Sequence, residues 1–129
     1  MKKFKHLKAK KEFTFDHIEA GLLEWFDNPG VDLVTLVNSE FTSLCPVTGQ
    51  PDYSAVTVSY IPGKRCVESK SLKLYLGSFR NCGSFTETVA ARVAEDLRNL
   101  LECNVTVKVS SVPRGGISVS ATSTARCPI

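Results

Sequence analysis

Histidine is nearly absent from this 129-residue chain: there are two, His6 and His17, both ahead of the first convincing core strand. A three-histidine zinc site is therefore excluded, and so is a Ser-His-Asp or Cys-His pair built from the core. Any nucleophile must be activated without a core imidazole. The five cysteines (Cys45, Cys66, Cys82, Cys103, Cys127) contain no C-x-x-C, and their spacings of 21, 16, 21 and 24 suit neither a zinc ribbon nor a finger. An odd number cannot all pair within the chain, so reduced thiols in a cytoplasmic protein are expected, with no metal. Nowhere do apolar residues run to the roughly 18 in a row that a membrane span needs. Proline (6) and glycine (8) are too sparse for a collagen-like or low-complexity chain.

Acids are missing from the first eleven residues, which carry Lys2, Lys3, Lys5, Lys8, Lys10 and Lys11. The formal charge of +3 is therefore deceptive. Beyond residue 11 ten cations face thirteen anions, so the body of the protein is not a basic nucleic-acid surface. The lysine-rich start is read as a solvated terminus, with contact to RNA or a phosphate as the alternative. It is not a secretory signal, because charges occupy the stretch where an apolar region belongs.

The length suits one domain. Residues 1–30 read as a lead-in, with a short helix around 18–26 ended by Asn28-Pro29-Gly30. Residues 31–129 read as the domain proper. Strands are expected over 31–41 and around Val56, Val58 and Tyr60, separated by a loop from Cys45 to Asp52 whose two prolines oppose regular pairing. Leu72, Tyr75, Leu76 and Phe79 form an i, i+3, i+4, i+7 stripe, the mark of a helix with one buried face. A longer helix opened by Ser84 follows, lined by Val89, Val93, Leu97, Leu100 and Leu101. Alternation then returns at Val105, Val107 and Val109 and at Ile117, Val119 and Ala121, on either side of Pro113-Arg114-Gly115-Gly116. The order ββααββ describes an α+β domain: a four-stranded antiparallel sheet with two helices on one face. So small a sheet leaves edges that association would cover.

Three groups of residues carry chemistry, each beside a plainer account. Cys45, biased out of helix by Pro46, and Asp52 across the turn can pair a nucleophile with a proton donor, or be a small apolar residue and a turn cap. Lys70 and Lys73 are helix neighbours that can hold a phosphate, with Arg114 as a third cation, or are simply a solvated face. Glu87 can grip the N–H edge of a guanine-like ring, or complete a capping box with Ser84.

Taken together, the fragments Phe41-Thr-Ser-Leu-Cys-Pro-Val-Thr-Gly-Gln-Pro-Asp-Tyr53, Tyr60-Ile-Pro62, Glu68-Ser-Lys-Ser-Leu-Lys-Leu-Tyr-Leu76, Ser78-Phe-Arg-Asn81 and Pro113-Arg-Gly-Gly-Ile-Ser118 resemble the short-form 7-cyano-7-deazaguanine reductases. These are nitrile reductases of queuosine biosynthesis in the tunnelling-fold superfamily, and the likeness runs from about Asp32 to Ser120. It implies a tunnelling fold assembled as an oligomeric ring, with sites between subunits. It implies Cys45 as nucleophile and Asp52 as general acid. It further implies a deazapurine substrate held by Glu87, Thr86, Glu68 and Ser69, and NADPH held by Lys70, Lys73 and Arg114. Family members carry His before the glutamate, where this chain has Thr86, and Asn-His-Gly where it has Asn81-Cys82-Gly83. Two alternatives stand beside this reading. One is an archaeosine-type amidinotransferase acting on tRNA, the only reading that requires nucleic acid; the other is a deazapurine binder without catalysis.

Overall fold

The computed structural model describes residues 17–128. The six lysines of the lead-in lie outside the described residues. After a 3-10 turn at Ala20–Leu22 come β1 (Trp25–Asp27), β2 (Val34–Leu44), β3 (Pro51–Tyr60), β4 (Arg65–Val67), α1 (Ser69–Gly77), α2 (Thr86–Leu101), β5 (Val105–Ser111) and β6 (Ser120–Ala125).

The expected α+β architecture holds. Strands β2, β3, β5 and β6 form an antiparallel sheet in that order, so β2 and β6 are its edges. Period-2 alternation makes the sheet two-faced. Val56, Val58, Tyr60, Val105, Val107 and Val109 are buried with Tyr75 and Phe79 at the end of α1 and Val89, Val93 and Leu97 of α2. Thr106, Thr124, Ser110 and Ser120 occupy the polar face, where their hydroxyls pair across strands at 2.9 and 3.3 Å. Phe41 brings β2 onto the α1 end, its ring 5.5 Å from that of Phe79.

Three local expectations are corrected. No helix spans 18–26. Trp25–Asp27 instead pairs antiparallel with β4 as a separate two-stranded ribbon, and Leu22 and Leu23 are buried in the core. Second, the Cys45–Asp52 loop is shorter than its prolines suggest. Pro51 opens β3, a position that needs no ladder N–H, and Asp52 pairs with Ser43. Third, Ser84 does not cap α2. Its N–H donates to the Leu44 carbonyl at 3.0 Å, and Phe85 takes the cap position without a side-chain hydrogen bond.

Candidate active site

Cys45 leaves the end of β2 into a turn closed by two backbone hydrogen bonds. Its N–H donates to the Gln50 carbonyl and its carbonyl accepts from the Gly49 N–H, both at 2.8 Å. Gly49 sits at φ +73°, where a side chain would be strained. The turn folds donors over the sulfur. Hydrogen bonds from the Thr48 hydroxyl and from the Thr48 and Val47 N–H groups hold the Cys45 thiol below its ordinary range, against the raising effects of partial burial and the Asp52 charge. The Thr48 oxygen also accepts from the Gln50 N–H at 3.2 Å, which fixes the hydroxyl in the turn. No imidazole is involved.

Asp52, one strand over, feels a different neighbour. Arg114 Nη1 bonds its Oδ1, Arg114 Nη2 bonds Gln50 Oε1, and Nη1 also reaches the Pro51 carbonyl at 3.4 Å. The β5–β6 connection explains this reach. Gly115 and Gly116 both have positive φ (57° and 80°) and make a two-residue turn, closed by mutual hydrogen bonds between Arg114 and Ile117 at 2.9 and 3.1 Å. The structure thus joins Arg114 to Asp52 rather than to Lys70 and Lys73.

The start of α2 is docked beside Cys45 by a short parallel bridge. Leu44 pairs with Gly83, donating to the Cys82 carbonyl at 3.0 Å while accepting from Ser84. A side chain at Gly83 would meet Pro46, since a Cβ there lies 3.3 Å from the Pro46 Cα. This contact brings Thr86, half-buried, and Glu87, exposed in the first turn of α2, to the Cys45 end of the sheet.

The lysines face elsewhere. Between α1 and the middle of β2 runs a groove of about 500 Å³ with apolar walls that include Leu36, Phe41, Leu72 and Leu76. Lys73, Arg80 and Glu40 are the charged residues of its lining, with Ser69 among the polar ones, while Lys70 and Arg114 do not line it. Glu68 caps α1, accepting from the Ser71 N–H at 2.8 Å and the Lys70 N–H at 3.3 Å. Sequence reasoning missed Thr48, Gln50, Gly83 and Arg80. The first two stood inside the quoted motif, where the hydroxyl and amide so close to Cys45 were the available signal. Among the described residues no cluster of His, Cys, Asp and Glu could hold a metal ion, and no helix is long and apolar enough to cross a membrane.

Residues 51–127 match the family of QueF-like proteins. The NADPH-dependent 7-cyano-7-deazaguanine reductase of Streptococcus mutans is 47% identical over 114 residues, covering 85% of this chain and 70% of that relative. The enzyme of the same name from Helicobacter pylori strain J99 is 47% identical over 119 residues, covering 89% and 80%. Among solved structures, the apo archaeosine synthase QueF-Like superposes with a TM-score of 0.70 at 25% identity, covering 74% of this chain and 95% of that one. With the Cys45 turn, the Asp52–Arg114 pair and the shared fold in view, the chain belongs to the QueF-like family, alongside the NADPH-dependent 7-cyano-7-deazaguanine reductases.

Proposed function

We propose that this protein is a cytoplasmic NADPH-dependent nitrile reductase that converts 7-cyano-7-deazaguanine to its 7-aminomethyl form, in the route to queuosine. The observation that carries this reading is the Cys45 turn, an activated thiol beside a carboxylate in a family whose named members reduce this nitrile. Cys45 adds to the nitrile carbon, forming a C–S bond as the C≡N becomes C=N. The Cys45 thiol proton passes by way of Asp52 to the nitrogen, Asp52 acting as general acid in the second transfer, and the product of this step is a thioimide. Arg114 and Gln50 fix the orientation of the Asp52 side chain. Glu87 and Thr86 at the start of α2, with Glu68 and Ser69 at the start of α1 of a neighbouring subunit, contact the deazapurine. Both oxygens of Glu68 already accept backbone N–H groups, and a carboxylate retains acceptor sites beyond these.

The α1–β2 groove suits a phosphate-bearing dinucleotide. Its volume falls in the range of small-molecule sites, roughly 300–1,000 Å³, and Lys73 and Arg80 set cations against apolar walls. Lys73 holds phosphate there, and Lys70, on the same helix but outside the groove lining, meets the cofactor beyond its rim. Arg114, which lies beside Asp52 and outside this groove, reaches the cofactor from a neighbouring subunit through donors beyond those spent on Asp52, since a guanidinium carries five N–H groups. When bound, NADPH supplies hydride; nitrile to amine takes four electrons, hence two cofactor molecules in turn.

The working unit is a homo-oligomer. Strands β2 and β6 are exposed sheet edges, and Tyr53, Phe85 and Ile117 are exposed apolar residues adjoining Asp52, Thr86 and the Arg114 turn. Full activity in a monomer by light scattering would contradict this. The test of the function itself is intact mass with NADPH oxidation. The nitrile base should add to Cys45 and trigger NADPH consumption, and Cys45→Ala should do neither. A second reading rests on the likeness to archaeosine synthase. An adduct without NADPH consumption, released by ammonia as an amidine, would favour that reading; a bound base with no adduct would leave a non-catalytic binder.

A further inference from the structure

Three of the five thiols gather at the end of the sheet opposite to the nucleophile. Tyr60, buried and donated to by the Val67 N–H at 2.9 Å, lies within electrostatic reach of Cys66 and Cys103, and its phenol is pushed up to about 12, chiefly by burial. Cys103 in turn feels Cys127 and Cys66. The register says which two belong together. Val105 pairs with Ala125 and Thr106 with Thr124, and carrying that register two residues past the ladder sets Cys103 against Cys127. Directly opposed antiparallel residues project to the same face with Cα atoms about 4.5–5.5 Å apart, inside the range a disulfide bridges. The end is tied as well, since the Cys127 N–H donates to Asn104 Oδ1 at 2.8 Å. Cys103 and Cys127 are each half-buried, whereas Cys66 is only 3% exposed.

The geometry points to Cys103 and Cys127 as a redox-modifiable pair that closes to a disulfide when a peroxide reaches the folded protein. The thiolate of Cys127 attacks the peroxide, the O–O bond breaks, and a sulfenic acid and one water result. Cys103 then displaces the sulfenic oxygen as a second water, forming the S–S bond. Two thiols lose two electrons and two protons to one peroxide. Burial first, then the neighbouring thiols, push the Cys103 thiol up, so it suits the second, resolving step rather than the first. The bond staples the end of edge strand β6 to the α2–β5 junction and encloses the Arg114 turn.

The test is graded hydrogen peroxide on the full chain, followed by alkylation, digestion and peptide mapping, with the reductant-reversed sample beside it. The expected result is a Cys103–Cys127 linked peptide, with both residues losing alkylation in step and regaining it on reduction. Cys103→Ser and Cys127→Ser should each remove the link, and Cys66→Ser should leave it. Oxidised protein should also unfold at a higher temperature than reduced protein, with no such rise in Cys127→Ser. A Cys66–Cys103 link instead, or Cys127 oxidised alone while Cys103 stays alkylatable, overturns the proposal. The wild-type map decides even where a variant fails to fold.

Discussion

Gly83→Ala separates the nucleophile from the rest of the protein. Gly83 has no positive φ, so alanine adopts its backbone without strain; what it meets is Pro46, with a Cβ 3.3 Å from the Pro46 Cα. Ordinary carbon contacts lie at about 3.5–4.0 Å, so the neighbour must give by a few tenths of an ångström. That neighbour is backbone, and it follows Cys45 directly. If about 1 Å of misplacement costs on the order of 100-fold, a third of that costs roughly fivefold. Folding moves little or the other way, because alanine for glycine removes unfolded-state freedom worth about 0.4–1 kcal/mol. The assay is the rate of thioimide formation by intact mass under single-turnover conditions, beside a denaturant melt and an NADPH titration. The expected variant forms adduct several-fold more slowly, melts like wild type and keeps its apparent NADPH requirement. Adduct formation at the wild-type rate would refute the claim that this contact sets the Cys45 turn. A raised NADPH requirement with normal addition would put the perturbation in the wrong place.

Thr48→Val should move the pH midpoint of Cys45 alkylation upward, toward the free-thiol value near ~8.5, because the largest influence lowering this thiol is the Thr48 hydroxyl; an unmoved midpoint measured by iodoacetamide kinetics would remove Thr48 from the site. Lys73→Ala should raise the apparent NADPH requirement about tenfold, since a charge-assisted phosphate contact is worth about 1.5–3 kcal/mol, while adduct formation stays within error; the reverse pattern refutes the groove assignment. Tyr75→Phe should cost about 1–3 kcal/mol in urea melts, because the fully buried phenol donates to Asp96 Oδ2 at 2.6 Å. Tyr60, raised from 10.0 to about 12, favours the fold in its protonated form, so its stabilisation is complete below pH 10 and is lost as pH rises toward 12; melts across that window should show the decline, and Tyr60→Phe should lose part of it.

What was legible in the sequence was whatever repeats locally. The stripe Leu72, Tyr75, Leu76, Phe79 and the alternation Val105, Val107, Val109 report burial on one face, and those residues are buried. Cys45 and Asp52 were legible as a pair across one loop, but the bonds of Thr48 and Gln50 that shape the turn were missed although they lie within six residues. The other misses are non-local. Three-residue strands carry too little alternation to announce themselves, so the pairing of Trp25 with Val67 was invisible and 18–26 read as helix. Ser84-Phe-Thr-Glu87 satisfies the capping-box pattern, but the Leu44 carbonyl took the Ser84 N–H into a tertiary bridge, and the local preference lost.

Arg114 shows why the same divide runs through the site. Its Gly-Gly turn was readable as a place where a cation stands exposed, and by residue type it belonged with the other cations, Lys70 and Lys73. Which anion it meets depends on sheet order: β5 lies beside β3, so the turn after β5 overhangs the start of β3, where Gln50 and Asp52 wait. The donors around Cys45 therefore lie in one loop, which the start of α2 holds through Gly83 and Pro46. The orientation of Asp52 is assembled across 62 residues of sequence, and it answers to anything that shifts the β5–β6 hairpin. In the proposed reaction, addition of the thiol and delivery of the proton thus rest on separate parts of the fold, which is why perturbations at Gly83 and at the β5–β6 hairpin should be distinguishable in the kinetics of a single covalent step.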